Sequence, residues 1–208
     1  TASASIGITY SRLGYRTPED MLRDADIAMY RAKAAGKARF EVFDANLHNE
    51  VADRLGLEAD LRQALADGAL AVHYQPLFNL DSGRLRSFEA LARWNHPTRG
   101  DISPETFIPI AEETGLIIEL TDMVMSRPCR QVQLWHLRDP ALVRLKMQVN
   151  LSSNDLAHSA LAERVERALR AAHLQPRDLT LELTENILMQ RVDGVMPTLE
   201  ALRRIGIG

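Results

Sequence analysis

The chain is nearly without cysteine. Cys129 is the only one in 208 residues, so no intramolecular disulfide can form and no cysteine cluster offers a zinc site. A strong charge of either sign is also missing. The 25 Lys and Arg nearly balance the 28 Asp and Glu, for a formal net charge of -3. That balance removes the electrostatic argument for binding a nucleic-acid polymer or an anionic membrane surface. No apolar run is long enough to span a bilayer, and no signal-peptide pattern is visible. No glycine-rich phosphate loop follows a strand, which disfavours a nucleotide-binding open sheet. Short internal repeats and low-complexity stretches are absent too. What remains is a chain that is 46% hydrophobic, able to bury a core in one or two domains. The expected localisation of this segment is cytoplasmic, with any membrane anchor of a longer parent lying outside it.

The first 44 residues read as strand, loop, helix, strand. The opening stretch Ser3 to Tyr10 reads as a strand. Thr17-Pro18-Glu19-Asp20 is a helix start: a capping threonine, a proline at the first helical position, and acids at the positive helix end. Gly36 ends that helix, and Arg39 to Phe43 alternates as a short strand. Residues 45–67 form a helix with Leu47, Val51, Leu57, Leu61 and Leu65 at near-helical spacing and charge elsewhere, as a connector would have. The domain boundary is expected within it, and Asp67-Gly68 is the break after it.

From residue 69 the pattern changes. Two strands, Leu70 to Leu80 and Leu85 to Trp94, are joined through Asp81-Ser82-Gly83. Helices follow at about 104–114 and 119–137, a strand at Val143 to Asn150, a helix at 155–173, a strand at Leu179 to Glu185, and a helix at 193–204. Strands alternating with helices predict an α/β fold with parallel strands, as an open sheet or a barrel. The opening at Thr1 and the closing Ile205-Gly206-Ile207-Gly208 both read as parts of strands, so the chain is expected to be a piece cut from a longer protein.

In parallel α/β barrels the chemistry sits at the carboxyl ends of strands. Three polar residues fall there: Glu89, Asn150 and Glu182, with Glu185 just beyond. All can offer oxygen, a donor set that suits hard cations such as Mg2+ and not zinc. Carboxylates gathered at one barrel mouth repel each other, and a bound cation relieves that repulsion. Such a set suits metal-assisted phosphoester hydrolysis. The bland alternative stays open on spacing alone: strand glutamates are commonly solvated or paired, and Asn150 before Leu151-Ser152-Ser153 can serve as a turn or cap residue. Arg93 can hold a phosphate or a surface carboxylate, and Gln75 can donate to a ligand or to backbone. The six histidines show no metal spacing. Trp94 and Trp135 read as packing residues, and Cys129 as a buried or partly buried thiol in a helix.

Glu89-Ala90-Leu91-Ala92-Arg93-Trp94 followed by His96-Pro97 resembles the signature of EAL-type cyclic-di-GMP phosphodiesterases. The likeness continues in order through Tyr74-Gln75-Pro76, Ser103 to Glu112, Val149-Asn150-Leu151-Ser152, and Leu181-Glu182-Leu183-Thr184-Glu185-Asn186, over about 140 residues. The resemblance implies a (β/α)8 TIM-like barrel with one strand running against the others. It implies metal ligation by Glu89, Asn150 and Glu182, and a loop-holding role for Glu185. It further implies contacts to the dinucleotide from Gln75, Leu91 and Arg93, and opening of cyclic-di-GMP to linear pGpG with Mg2+ or Mn2+. Such enzymes commonly dimerise, so a homodimer through this domain is an expected partner state.

Asp24 to Lys33 followed by Gly36 resembles the last helix of GGDEF diguanylate cyclase domains. By that resemblance Lys33 matches a residue that contacts nucleotide phosphate. Lys37 falls where that family commonly has arginine, which keeps the charge but loses the bidentate fork. The implied organisation is residues 1–44 as the end of a GGDEF domain, 45–67 as connector, and 68–208 as the first part of an EAL domain. The family's Asp-Asp pair and its later lysine, glutamate and glutamine would follow Gly208. The 208-residue piece alone is therefore expected to be inactive and, as half a barrel with an open edge, marginally stable. For the parent, an active phosphodiesterase leads. A silent cyclic-di-GMP receptor and a regulatory scaffold are the alternatives, separated by whether turnover, binding alone or neither is seen.

Overall fold

The computed structural model describes residues 3–183 and 192–207. The chain divides into two compact units, Thr1–Asp60 and Leu61–Gly208. In the first, strand β1 (Ile6–Ile8) pairs in parallel with β2 (Phe40–Val42), and helix α1 (Pro18–Ala34) lies between them in sequence. The start of α1 follows from its sequence: the Thr17 hydroxyl accepts from the Asp20 amide at 3.2 Å, with Pro18 at the first position and Glu19 and Asp20 in the first turn. Its buried residues are Asp24 and the small Ala28 and Ala32. Gly7 on β1 shows why: a Cβ there would overlap the α1 backbone at Ala25 and Met29, so strand and helix meet almost backbone to backbone. Helix α2 (Ala45–Ala66) follows.

The second unit is built on a sheet in the order β3 (Ala71–Phe78), β4 (Leu85–His96), β6 (Lys146–Leu151), β7 (Leu179–Leu183). Strand β3 runs antiparallel to β4, whereas β4, β6 and β7 are mutually parallel. A short strand, β5 (Gly100–Ile102), folds back on the far end of β4, setting Trp94 opposite Ile102. The β3–β4 hairpin closes through Asn79, whose side-chain oxygen accepts from the Ser82 amide at 2.9 Å, and through Gly83 at φ 63°. Helices α3 (Pro104–Thr114), α4 (Ile117–Arg138), α5 (Ser153–Ala157), α6 (Leu161–Ala171) and α7 (Val192–Ile205) complete the described α-helices.

Strand periodicity divides the sheet into two faces. Ala90 and Trp94 of β4, Met147, Val149 and Leu151 of β6, and Leu179 of β7 are buried. The helices supply matching buried residues: Phe107 and Ile110 from α3, Val124 and Val132 from α4, Val165 from α6. Trp94 meets Phe107 edge-on, with centroids 5.9 Å apart, and Trp135 of α4 packs against Phe88 and Tyr74. Both tryptophans thus belong to packing, and Cys129 lies fully buried on α4. Glu89, Leu91, Arg93, Gln148, Asn150 and Glu182 hold the alternate positions, on the other face.

Two sequence expectations need correction. The helix predicted at 155–173 is two helices, broken at His158, which is extended at φ −86° and ψ 113°. Ser152 and Asp155 cap each other's backbone and start a five-residue helix earlier than predicted. The predicted strand from Val143 begins only at Lys146, because Pro140–Leu142 forms a 3-10 turn. Strand β5 went unpredicted: three residues are too few to show a period.

Candidate active site

The sheet register brings the candidate residues together from three strands. Asn150 on β6 lies directly across from Glu182 on β7, and Glu89 on β4 is across from Gln148, two residues before Asn150. The Asn150 side-chain amide donates to Glu89 Oε1 at 2.6 Å. The reading of Asn150 as a helix cap is thereby set aside. Ser152 performs the capping, its hydroxyl accepting from the Asp155 amide at 3.1 Å, and the Asn150 side chain is turned toward Glu89. Asn150 and Glu182 sit toward the carboxyl ends of β6 and β7, where such folds present their chemistry; Glu89 instead lies in the first half of the longer β4, not at its end as expected.

The electrostatics fit a cation. Burial pushes the Glu182 carboxyl above the usual carboxylate range, and the nearby Glu89 charge pushes it further in the same direction. The two carboxylates, with an amide between them, offer oxygen donors and negative charge to a cation. Among the described residues no group of three or more His, Cys, Asp or Glu converges as a metal site. Within the cluster the third potential donor is an amide.

Leu91 and Arg93 continue along the same face of β4. The Arg93 guanidinium donates to the Ala92 carbonyl at 2.9 Å. With Asn150 and Ser152 they line a cavity of about 320 Å3, whose apolar wall includes Ile108 and Leu120. Glu112 lines it too, its carboxyl raised first by burial and then by the Asp155 and Glu113 charges. Gln75 is the cross-strand partner of Glu89 on β3 and is exposed. Glu185 lies outside the described residues. Lys33, in the last turn of α1, and Lys37, at φ 62° just after it, are both exposed and belong to the first unit.

Sequence reasoning missed a buried polar group beside this cluster. Asp155 is 0% exposed, and its carboxylate accepts from Thr121, Ser152 and Arg164. The spacing of Ser152 and Asp155, three apart at the end of a strand, carried the signal as a capping box. The Thr121 and Arg164 partners are remote in sequence and left no local trace.

The domain is therefore an α/β unit in which an antiparallel strand leads into parallel ones, with two acids and an amide gathered on one face of the parallel strands. The family described as "EAL domain" matches residues 58–208, and the chain belongs to the EAL domain family. Among curated relatives, the cyclic di-GMP phosphodiesterase NbdA of Pseudomonas aeruginosa is 37% identical over 205 residues, covering 99% of this chain and 26% of that protein. The bifunctional diguanylate cyclase/cyclic di-GMP phosphodiesterase MucR of the same organism is 38% identical over 206 residues, covering 99% of this chain and 30% of that protein. The solved structure of the PaMucR phosphodiesterase in complex with c-di-GMP superposes with a TM-score of 0.69 at 40% identity, over 74% of this chain and 61% of that one. The chain thus spans about a quarter to a third of the length of these curated relatives.

Proposed function

We propose that this chain is the first part of an EAL-type phosphodiesterase domain, preceded by the end of a GGDEF domain, and that its full-length parent hydrolyses cyclic-di-GMP to linear pGpG. The observation that carries the proposal is the convergence of Glu89, Asn150 and Glu182 on one face of three neighbouring parallel strands. In this reading residues 1–44 are the GGDEF remnant, with Lys33 and Lys37 as its nucleotide-facing lysines. Residues 45–67 connect the domains, and 68–208 begin a TIM-like barrel.

Glu89, Asn150 and Glu182 would hold Mg2+ or Mn2+. That cation supplies charge neutralisation at the phosphate and activation of the attacking water. The chain's own residues do the rest. Arg93 would pair with a phosphate oxygen, its planar fork suiting that geometry. Leu91 offers apolar contact to a base, and Gln75, across from Glu89, offers a donor to the dinucleotide. Glu185 would hold a loop over the site.

In the full-length protein Glu89→Ala removes one potential ligand and the acceptor of the Asn150 amide, and should abolish hydrolysis. Unchanged turnover by that variant would sink the assignment. Cyclic-di-GMP binding without turnover in the wild type would instead make the parent a receptor, and neither binding nor turnover would make it a scaffold.

A further inference from the structure

Asn150 is the next-to-last residue of β6, and the chain leaves the strand after Leu151. A buried charge network fixes that exit. Asp155 Oδ2 accepts from the Ser152 amide at 3.1 Å, the Ser152 hydroxyl at 2.7 Å and the Thr121 hydroxyl at 2.9 Å. Asp155 Oδ1 accepts from two guanidinium nitrogens of Arg164 at 3.3 and 3.4 Å. Arg164 is itself buried, and also donates to Asp122 at 2.6 Å and to the Ile118 carbonyl at 2.8 Å. The turn after β6 is thus tied to α4 through Thr121 and to α6 through Arg164.

The local helix does not explain this investment. Helix α5 has five residues, and an exposed serine cap with a solvated carboxylate would start it equally well. Desolvating a carboxylate and a guanidinium together gives little net stability over an apolar pair of the same shape. What the network does provide is a single placement of Ser152, and through it of Asn150, whose amide reaches Glu89 at 2.6 Å. Thr121, Ser152 and Asn150 also line the same cavity as Leu91 and Arg93.

We infer that Asp155, held by Arg164, is a positioning residue for Asn150: it fixes the exit of β6 so that the Asn150 side chain stays beside Glu89. The inference rests on the metal-site reading of Glu89, Asn150 and Glu182. Asp155 itself touches neither cation nor substrate.

The test is Mn2+ binding to the full-length protein, read from the electron paramagnetic resonance of free Mn2+ and counting the site that Glu89→Ala removes. Asp155→Asn keeps shape and removes the charge. Losing such an outer partner should raise the Mn2+ dissociation constant at that site about ten- to hundredfold, with circular dichroism unchanged. Arg127→Ala is the structural control: Arg127 ties α4 to the Gly68 and Leu70 carbonyls and does not touch the β6 exit, so Mn2+ affinity should stay at the wild-type value. Wild-type affinity in Asp155→Asn, or an equal loss in Arg127→Ala, would overturn the inference. If Glu89→Ala removes no Mn2+ site, the metal reading fails by itself. The crystal structure of Asp155→Asn then decides the placement: loss of the Asn150–Glu89 hydrogen bond supports the inference and its retention refutes it.

Discussion

Replacing Arg164 by alanine should be among the most damaging single changes in the second unit. The Arg164 side chain is 5% exposed and its partner Asp155 is 0% exposed. Truncation leaves a fully buried carboxylate with its hydroxyl and amide donors but without its cation. Breaking a buried pair from one side costs about 3–5 kcal/mol, because an uncompensated charge stays behind. Asp155→Asn should cost less, about 1–3 kcal/mol in the range for an unsatisfied buried group, because Arg164 keeps Asp122, which is 48% exposed, and the Ile118 carbonyl. The two changes together should cost less than their sum, with a coupling of about 1–3 kcal/mol, since the second removes the charge the first had orphaned. Urea unfolding read by tryptophan emission measures this: the only two tryptophans of the 208 residues, Trp94 and Trp135, both lie in the second unit. A cost for Arg164→Ala below about 1 kcal/mol, the level of an exposed ion pair, or strict additivity in the double variant, would refute the reasoning.

Burial pushes the Cys129 thiol up to about 12, with the Asp178 charge adding to the effect. The native protein should therefore resist iodoacetamide at pH 8, where about one thiol in ten thousand is ionised, and react only on unfolding; rapid native labelling counts against the buried placement. For Glu112 the folded carboxyl is raised above its unfolded value, so its ionisation opposes folding. That penalty is fully present above the folded pKa and disappears as pH falls below the unfolded one. Glu112→Gln should accordingly raise the melting temperature at pH 7, with the gain fading under acid conditions. A gain that grows with acidity contradicts the sign.

The parts of this fold legible in the sequence were those written in short-range pattern. Thr17-Pro18 and the acids after it announced α1, Asp67-Gly68 its neighbour's end, and Asp81-Ser82-Gly83 the break between β3 and β4. Glu89, Asn150 and Glu182 could be picked out because polar residues near the ends of apolar strands are costly without a partner or a role. The break at His158 was not legible, because no glycine or proline marks it. The choice between a capping and a ligating Asn150 was likewise undecided by spacing. The structure identifies Ser152 as the cap through its hydroxyl, which accepts from the Asp155 amide, a contact that spacing alone does not reveal.

The most direct measurement is hydrolysis of cyclic-di-GMP by the full-length protein, with Mg2+ or Mn2+ and with EDTA in parallel. The expected result is linear pGpG formed with either metal and none with EDTA. Cyclic-di-GMP left intact in the presence of metal, or pGpG formed equally well in EDTA, would contradict a cation held by Glu89, Asn150 and Glu182.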